Sequence, residues 1–292
     1  EVVDDYPSSV LAHARRQHRW VRGDWQILWW LFPFVPAPGG LRRNRLPLIS
    51  RWKILDNLRR SLMAPATVAL LLLGWTVLPG SPWAWTAAVL AGLAFGLLPL
   101  ALKTLAGPPP QQPWRVFLRT ASEDAGTALA QATLQLTFLA SQAWERAHAI
   151  GLTLVRLAAT RRRLLEWETA AASVERGRLR DGAFAFVVEM IASPLVALGG
   201  LALVAAVRPY ALPAALPVLA LWVAAPFVAH ALSRPVPPRR HVLPAGDRAF
   251  LEGVARDTWG YFEAFMGEED HGLPADNVQE GRVAHRTSPT NV

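Results

Sequence analysis

Long apolar runs alternate with short basic stretches along this chain, and that alternation predicts its elements. Ser61 to Leu78 and Pro82 to roughly Leu105 are two apolar runs joined by the uncharged link Pro79-Gly80-Ser81. Each approaches the ~20 residues a helix needs to cross hydrocarbon. Ala183 to Val207 and Ala211 to Leu232 form a second pair, linked through Arg208 and Pro209. The expected fold class is therefore mostly α: a polytopic membrane protein with about four transmembrane helices in two hairpins. Between the pairs, apolar residues recur at 132, 136, 139, 143, 147, 150, 154 and 157, with Gln131, Gln135, Gln142, Glu145 and Arg146 off that stripe. These intervals predict helices lying on or partly in the membrane interface. Two such helices crossing with their polar faces lining a channel remain an open alternative.

Before the first pair, Leu48 to Arg60 carries apolar residues at 48, 52, 55 and 58 with basic residues between, the pattern of an amphipathic helix at a membrane surface. Upstream, the apolar stretch Ile27-Leu28-Trp29-Trp30-Leu31-Phe32 is broken by Pro33, Pro36, Pro38, Gly39 and Gly40. After Pro235-Val236-Pro237-Pro238, the segment Asp247 to Met266 reads as a soluble amphipathic helix, followed by polar text that includes Asp276 and Glu280. Glu189 and His230 lie inside the second pair. An ionisable residue in a span is a functional candidate by default, and Glu189 stands near enough to one end to reach the headgroups.

Composition sharpens this picture. At 52% hydrophobic residues and a mean hydropathy of +0.21, the 292-residue chain is too apolar for an ordinary soluble domain. Its formal charge of +8 is almost wholly arginine, since Lys53 and Lys103 are the only lysines. Segments 1–60, 107–182 and 233 onward hold nearly all the basic residues, which places them on the cytoplasmic side. There is no cysteine, so disulfides and thiolate metal sites are excluded. Neither a phosphate-gripping glycine loop nor a His-Glu-x-x-His pattern is present. The first residue is not Met and no signal-peptide pattern opens the sequence, so the expectation is an internal segment of a longer protein.

The densest chemistry lies in Arg15-Arg16-Gln17-His18-Arg19-Trp20-Val21-Arg22-Gly23-Asp24-Trp25-Gln26. If Ser8 or Ser9 caps a helix here, Arg16, Arg19 and Trp20 sit at i, i+3 and i+4 on one face. Guanidinium forks match phosphate oxygens, and an indole face stacks on the apolar side of a sugar. The same residues also suit anionic lipid headgroups, with Trp20, Trp25, Trp29 and Trp30 as an interfacial belt. The residues alone leave both readings open.

Arg16-x-x-Arg19-Trp20 resembles the (Q/R)-x-x-R-W signature of processive family-two-type glycosyltransferases, and its extension through Gln26 resembles the cyclic β-1,2-glucan synthases. Three further phrases carry the same resemblance: Ser50 to Ser61, Thr160 to Ala170, and Asp276 to Asn291, where Gly281-Arg282 departs from the family's wording. The resemblance implies that residues 1–60 hold the C-terminal end of a cytoplasmic glycosyltransferase-A-like domain and interfacial helices. It implies hairpins at 61–106 and 183–232, cytoplasmic or interfacial helices at 107–182, and a linker with the start of a glycoamylase-like domain at 233–292. The implied substrate-binding residues are Arg16 and Arg19, on the donor diphosphate, and Trp20, against the end of the acceptor glucan. The implied partners are UDP-glucose, a growing β-glucan chain and the lipid bilayer of a bacterial inner membrane. Mg²⁺ or Mn²⁺ would be held by upstream aspartates, as would the catalytic base; Asp4 and Asp5 do not match those motifs.

Two other classes compete. A transporter subunit with basic anchors would need interrupted helices with polar midplane residues, which are scarce here. A nucleic-acid-binding membrane protein would cluster its arginines in one polar domain. These arginines instead track the membrane boundaries, so no nucleic acid is expected.

Overall fold

The computed structural model describes residues 9–37, 39–160, 183–234, 244–268, 271–275, 278–279 and 282–283. The anchor phrase 161–170, Asp4, Asp5, Asp276, Glu280 and the polar run after 283 lie outside the described residues. The chain divides into two compact units, Glu1–Pro235 and Val236–Val292.

In the first unit, α1 spans Val10–Gln26. Ser9 ends it as expected, its hydroxyl oxygen accepting a 3.1 Å bond from the Ala12 N–H that the first turn leaves unpaired. The apolar stretch beyond it does not prolong this helix. Leu28–Leu31 tightens into one 3-10 turn, and the proline- and glycine-rich break is itself structured. Strands β1 (Phe34–Ala37) and β2 (Gly40–Arg43) pair antiparallel, Phe34 opposite Arg43 and Ala37 opposite Gly40. Gly39 and Gly40 turn the chain at φ +91° and +128°, where a side chain would be strained. Buried Asn44 then closes the corner, its amide donating to the carbonyls of Trp30 (2.6 Å) and Phe32 (2.9 Å).

Helix α2 runs unbroken over Leu48–Thr76, so the expected surface helix and the expected first span are one element. Polarity changes near Ser61, but nothing there breaks the backbone. Pro65 inside the helix removes one rung without ending it. Helix α3 (Pro82–Leu93), a short 3-10 stretch and α4 (Leu98–Ala106) follow. Helix α5 is then a single 42-residue helix, Trp114–Val155, roughly 63 Å long. Its apolar stripe faces protein: Leu136, Leu139 and Ala143 are buried against the other helices, whereas Ala147 and Leu154 are exposed.

The expected span 183–207 is broken into α6 (Ala183–Glu189) and α7 (Ala192–Val207), bent by 61°. Pro194 supplies the reason, because its ring cannot follow a helical Met190 carbonyl and it has no N–H to donate. Helix α8 (Leu212–Leu232) returns alongside α7. Among the described residues, Pro82–Ala106 and Pro209–Leu232 are long and apolar enough to cross a membrane, and the bent pair adds a third candidate. The polar first half of α2 keeps that helix out of this group.

Two fully buried tryptophans centre the core. Trp75 of α2 and Trp222 of α8 meet with ring centroids 6.2 Å apart. Each indole N–H is satisfied: Trp75 donates to the Thr86 hydroxyl (2.8 Å) and Trp222 to the Leu136 carbonyl (3.0 Å). The Ser193 hydroxyl donates in turn to the Trp222 carbonyl (2.8 Å), tying α7 to the same point. At the far end, Arg208 donates to the carbonyls of Leu78 (2.9 Å) and Gly80 (3.0 Å), so the two short links sit together.

The second unit holds α9 (Ala245–Phe265), matching the expected amphipathic helix, and the small hairpin of β3 (Val278–Gln279) and β4 (Arg282–Val283). Tyr261 donates to the Ala275 carbonyl (2.8 Å) and fixes the return of the chain onto α9.

Replacing Trp222 by Ala opens a cavity at the centre of four helices. The expected loss is about 3–5 kcal/mol, against about 2 kcal/mol for Trp222→Phe, which keeps one of the two rings, leaves a smaller void and drops the hydrogen bond. Thermal unfolding in detergent checks this, and equal melting of Trp222→Ala and wild type would contradict the assigned core.

Candidate functional site

Helix α1 is held from several sides. Towards α2, the Asn57 amide donates to Asp24 (3.1 Å) and the Trp25 indole donates to the Ser61 hydroxyl (2.8 Å). Towards α5, Val21 packs on Ala149 and Ile150, and the rings of His18 and His148 lie 3.0 Å apart nitrogen to nitrogen. Towards α6, one guanidinium nitrogen of Arg15 lies 2.7 Å from both carboxylate oxygens of Glu189. At its first turn, the Val10 N–H donates to the Ser233 hydroxyl at the end of α8 (3.0 Å). Glu189, expected to reach the headgroups, is thus engaged by the arginine-rich helix. His230 packs edge-on against Phe186, with ring centroids 5.4 Å apart.

The side of α1 left open carries Trp20, which is 55% exposed. The Arg16 guanidinium stacks over its ring, 5.0 Å from the centroid, a cation–π contact that holds the indole flat. Trp20 borders a cavity of about 450 Å³ whose other walls include Asp24, Asn57, Arg60 and Arg146. Arg19 is half-buried, and neither it nor Arg16 lines this cavity or the larger one beside it; Arg16 reaches the site only through its contact with Trp20. The structure therefore joins Arg16 to Trp20 and sets Arg19 apart. Asn57 and Arg60, which the sequence reading placed on a lipid-anchoring helix, join the wall because α2 passes directly beneath α1. Their signal was the phrase Asp56-Asn57-Leu58-Arg59-Arg60, already marked by its resemblance.

The larger cavity, about 620 Å³, lies between the first half of α1 and the middle of α5. Gln131, Gln135, Gln142 and Glu145, the polar residues off the apolar stripe, line it together with Gln17 and Arg146. Gln17 and Arg146 border both cavities.

Charge in this region is governed by burial. The Glu145 carboxyl is pushed up to about 7, first by desolvation and then by nearby Glu189, against the pull of the Ser141 hydroxyl (3.3 Å) and Arg146. Burial also raises Asp24, opposed by the Asn57 amide and Arg60. His18 is lowered to about 4 by burial, with His148 and Arg22 acting in the same direction. The site thus keeps His18 neutral at neutral pH and brings Glu145 to the midpoint of its titration there. Among the described residues, no three His, Asp or Glu side chains come together to hold a metal ion.

No family model matches the chain. Over its whole length it is 36% identical, across 304 aligned positions, to the cyclic beta-(1,2)-glucan synthase NdvB of Rhizobium meliloti (strain 1021). The chain spans 10% of that protein's length.

Glu145 supplies a pH test. Its folded pKa, about 7, exceeds its ordinary 4.5, so its stabilising effect is full below 4.5 and is lost as pH rises through 7. Glu145→Gln is expected to flatten this fall and to melt higher than wild type near pH 8 while matching it near pH 4. Parallel melting curves across that range would contradict the burial of Glu145 as the dominant influence on its charge.

Proposed function

We propose, from the relationship to one segment of a cyclic β-(1,2)-glucan synthase, that the chain is the membrane part of a processive glucosyltransferase. The whole enzyme moves glucose from UDP-glucose onto a growing β-1,2-glucan. In that step the bond between glucose C1 and the diphosphate oxygen breaks. A new bond forms from C1 to an acceptor hydroxyl, whose proton passes to a base outside this chain. The observation that carries the reading is the Arg16–Trp20 stack, whose indole borders the smaller cavity, on a helix packed against an apolar bundle. Trp20 offers a flat face to the sugar at the acceptor end. Arg16 and Arg19 stabilise the charge developing on the departing diphosphate. The metal expected with such a donor, Mg²⁺ or Mn²⁺, is assigned to residues upstream of this chain.

In this reading the four apolar segments cross a bacterial inner membrane as two hairpins, with the N- and C-terminal segments cytoplasmic. The neighbouring links at 79–81 and 208–210, joined by Arg208, support placing both turns on one side. Residues 233–292 lead into a glycoamylase-like domain. A transporter subunit is the second reading, and the broken helix at 190–191 favours it. Against it, Glu189 at the break is engaged by Arg15.

The test uses the full-length parent in membrane vesicles with labelled UDP-glucose. Trp20→Ala and Arg16→Ala are each expected to lower glucose incorporation roughly 100-fold at unchanged membrane insertion. Full activity in both would return these residues to lipid anchoring, and no incorporation by wild type would favour the transporter.

A further inference from the structure

We infer that the outer face of the β1–β2 hairpin, with the first two turns of α2, docks on the headgroup layer of an anionic phospholipid leaflet. This inference rests on the part of the transferase reading in which α2 crosses the membrane. Residues directly opposite in an antiparallel pair share a face, so the register puts Phe34, Pro36, Leu41 and Arg43 on one side of the hairpin. Val35, on the other side, is buried. The first side is open, with Leu41 73% and Phe34 56% exposed. On α2, Leu48, Ile49, Trp52 and Leu55 are exposed as well, at i, i+1, i+4 and i+7, the spacing of one helix face.

Asn44 makes one body of these two elements. Its amide donates to the carbonyls of Trp30 and Phe32 at the base of the hairpin. Its side-chain oxygen accepts from the Leu46 N–H (2.9 Å), and its backbone carbonyl accepts from the Arg51 guanidinium of α2 (3.2 Å). Large apolar side chains left open together mark a contact surface. Charge narrows the partner. Residues 25–55 hold five basic side chains, Arg42, Arg43, Arg45, Arg51 and Lys53, and no acidic one. Basic groups among tryptophan, phenylalanine and leucine match a layer in which phosphates lie directly over hydrocarbon.

Depth selects the leaflet over an acidic protein. From Leu48 to Thr76, α2 rises roughly 42 Å, and Thr76 ends it just before the 79–81 link that Arg208 holds. A hydrocarbon core of about 30 Å takes about 20 residues counted back from that end, which reaches Asp56 and Asn57. Charged residues return to the helix at this level, as Asp56, Arg59 and Arg60. The turns from Leu48 to Leu55 extend about 12 Å further, which keeps them within the headgroup layer of a bilayer about 40–45 Å thick overall. An acidic protein would have to enter that layer to cover the same face. The hairpin thus pins the connection between α1 and α2 to the membrane surface. Helix α1, bonded to α2 through Asp24–Asn57 and Trp25–Ser61, takes its height from that anchor.

Photo-cross-linking of the full-length parent tests this, in vesicles of equal parts phosphatidylglycerol and phosphatidylcholine. The probes are Leu41→benzoylphenylalanine on the hairpin and, as a reference within the span, Leu70→benzoylphenylalanine on the exposed side of α2. Phospholipid is the expected adduct at both. At Leu41, phosphatidylglycerol is expected to be captured about threefold over phosphatidylcholine, a preference lost in the Arg43→Glu/Arg45→Glu background. A Leu41 adduct with another stretch of protein, or none, beside lipid capture at Leu70 overturns the docking surface and leaves the spanning reading intact. Equal capture of the two lipids at Leu41, unchanged by the charge reversals, overturns the assignment to an anionic leaflet. No lipid adduct at Leu70 overturns both. Glucose incorporation by the unsubstituted parent, followed in the same vesicles, reports separately on the transferase reading.

Discussion

One guanidinium nitrogen of Arg15 lies 2.7 Å from both oxygens of Glu189, across 174 positions of sequence. Glu189 is the last residue of α6, immediately before the 61° break. A carboxylate at a helix C-terminus opposes the helix dipole, and Arg15 answers both that charge and the break. The side chains are only 26% and 21% exposed, so the pair is less screened than a surface ion pair, and removing either partner would strand a charge in a poorly solvated place. This contact ties the helix that carries Arg16 and Trp20 to the bent helix pair. With the pair in place, the remaining contacts of α1 follow: Val21 seats on Ala149 and Ile150, Asp24 meets Asn57, and Trp20 is left facing outward.

Behind that helix the bundle must be stiff for the site to have a defined shape. The Trp75–Trp222 contact supplies this, because α2, α3, α5, α7 and α8 all contribute a packing surface or a hydrogen-bond partner to the two indoles. Gly74 lets α3 approach closely; a Cβ there would stand 2.6 Å from the Trp85 side chain. The placement of Gln131, Gln135 and Gln142 along the larger cavity then follows from a simple condition. The side of α5 that buries Leu136 and Ala140 meets the bundle, so the adjoining side must face something polar, and the first half of α1 arches over it.

Much of this was legible in the sequence. Ser9 announced the start of α1, and the apolar runs announced α3, α4, α7 and α8. The polar residues off the α5 stripe announced a surface that the core does not take. Other features were not legible, for physical reasons that can be named. A change from polar to apolar residues near Ser61 reads as a boundary, yet hydropathy does not break a backbone, and α2 passes through it. Pro36, Pro38, Gly39 and Gly40 read only as breakers because four-residue strands carry too little periodicity to register. Pro194 did signal the break at 190–191, but the surrounding apolar run masked it. The site was visible as a motif and not as a geometry. Arg16 and Trp20 come together because a guanidinium and an indole one turn apart stack, whereas the walls contributed by Asn57, Arg60 and Arg146 depend on packing that no local pattern encodes.

The bundle holds the motif helix in place through Arg15 and Glu189. The most direct measurement is a charge exchange in the full-length parent, assayed for glucose incorporation in vesicles. Arg15→Glu and Glu189→Arg are each predicted to lose activity, and the double exchange Arg15→Glu/Glu189→Arg to regain a substantial part of it, at equal membrane insertion throughout. Single variants as active as wild type, or a double variant no better than either single one, would contradict the claim.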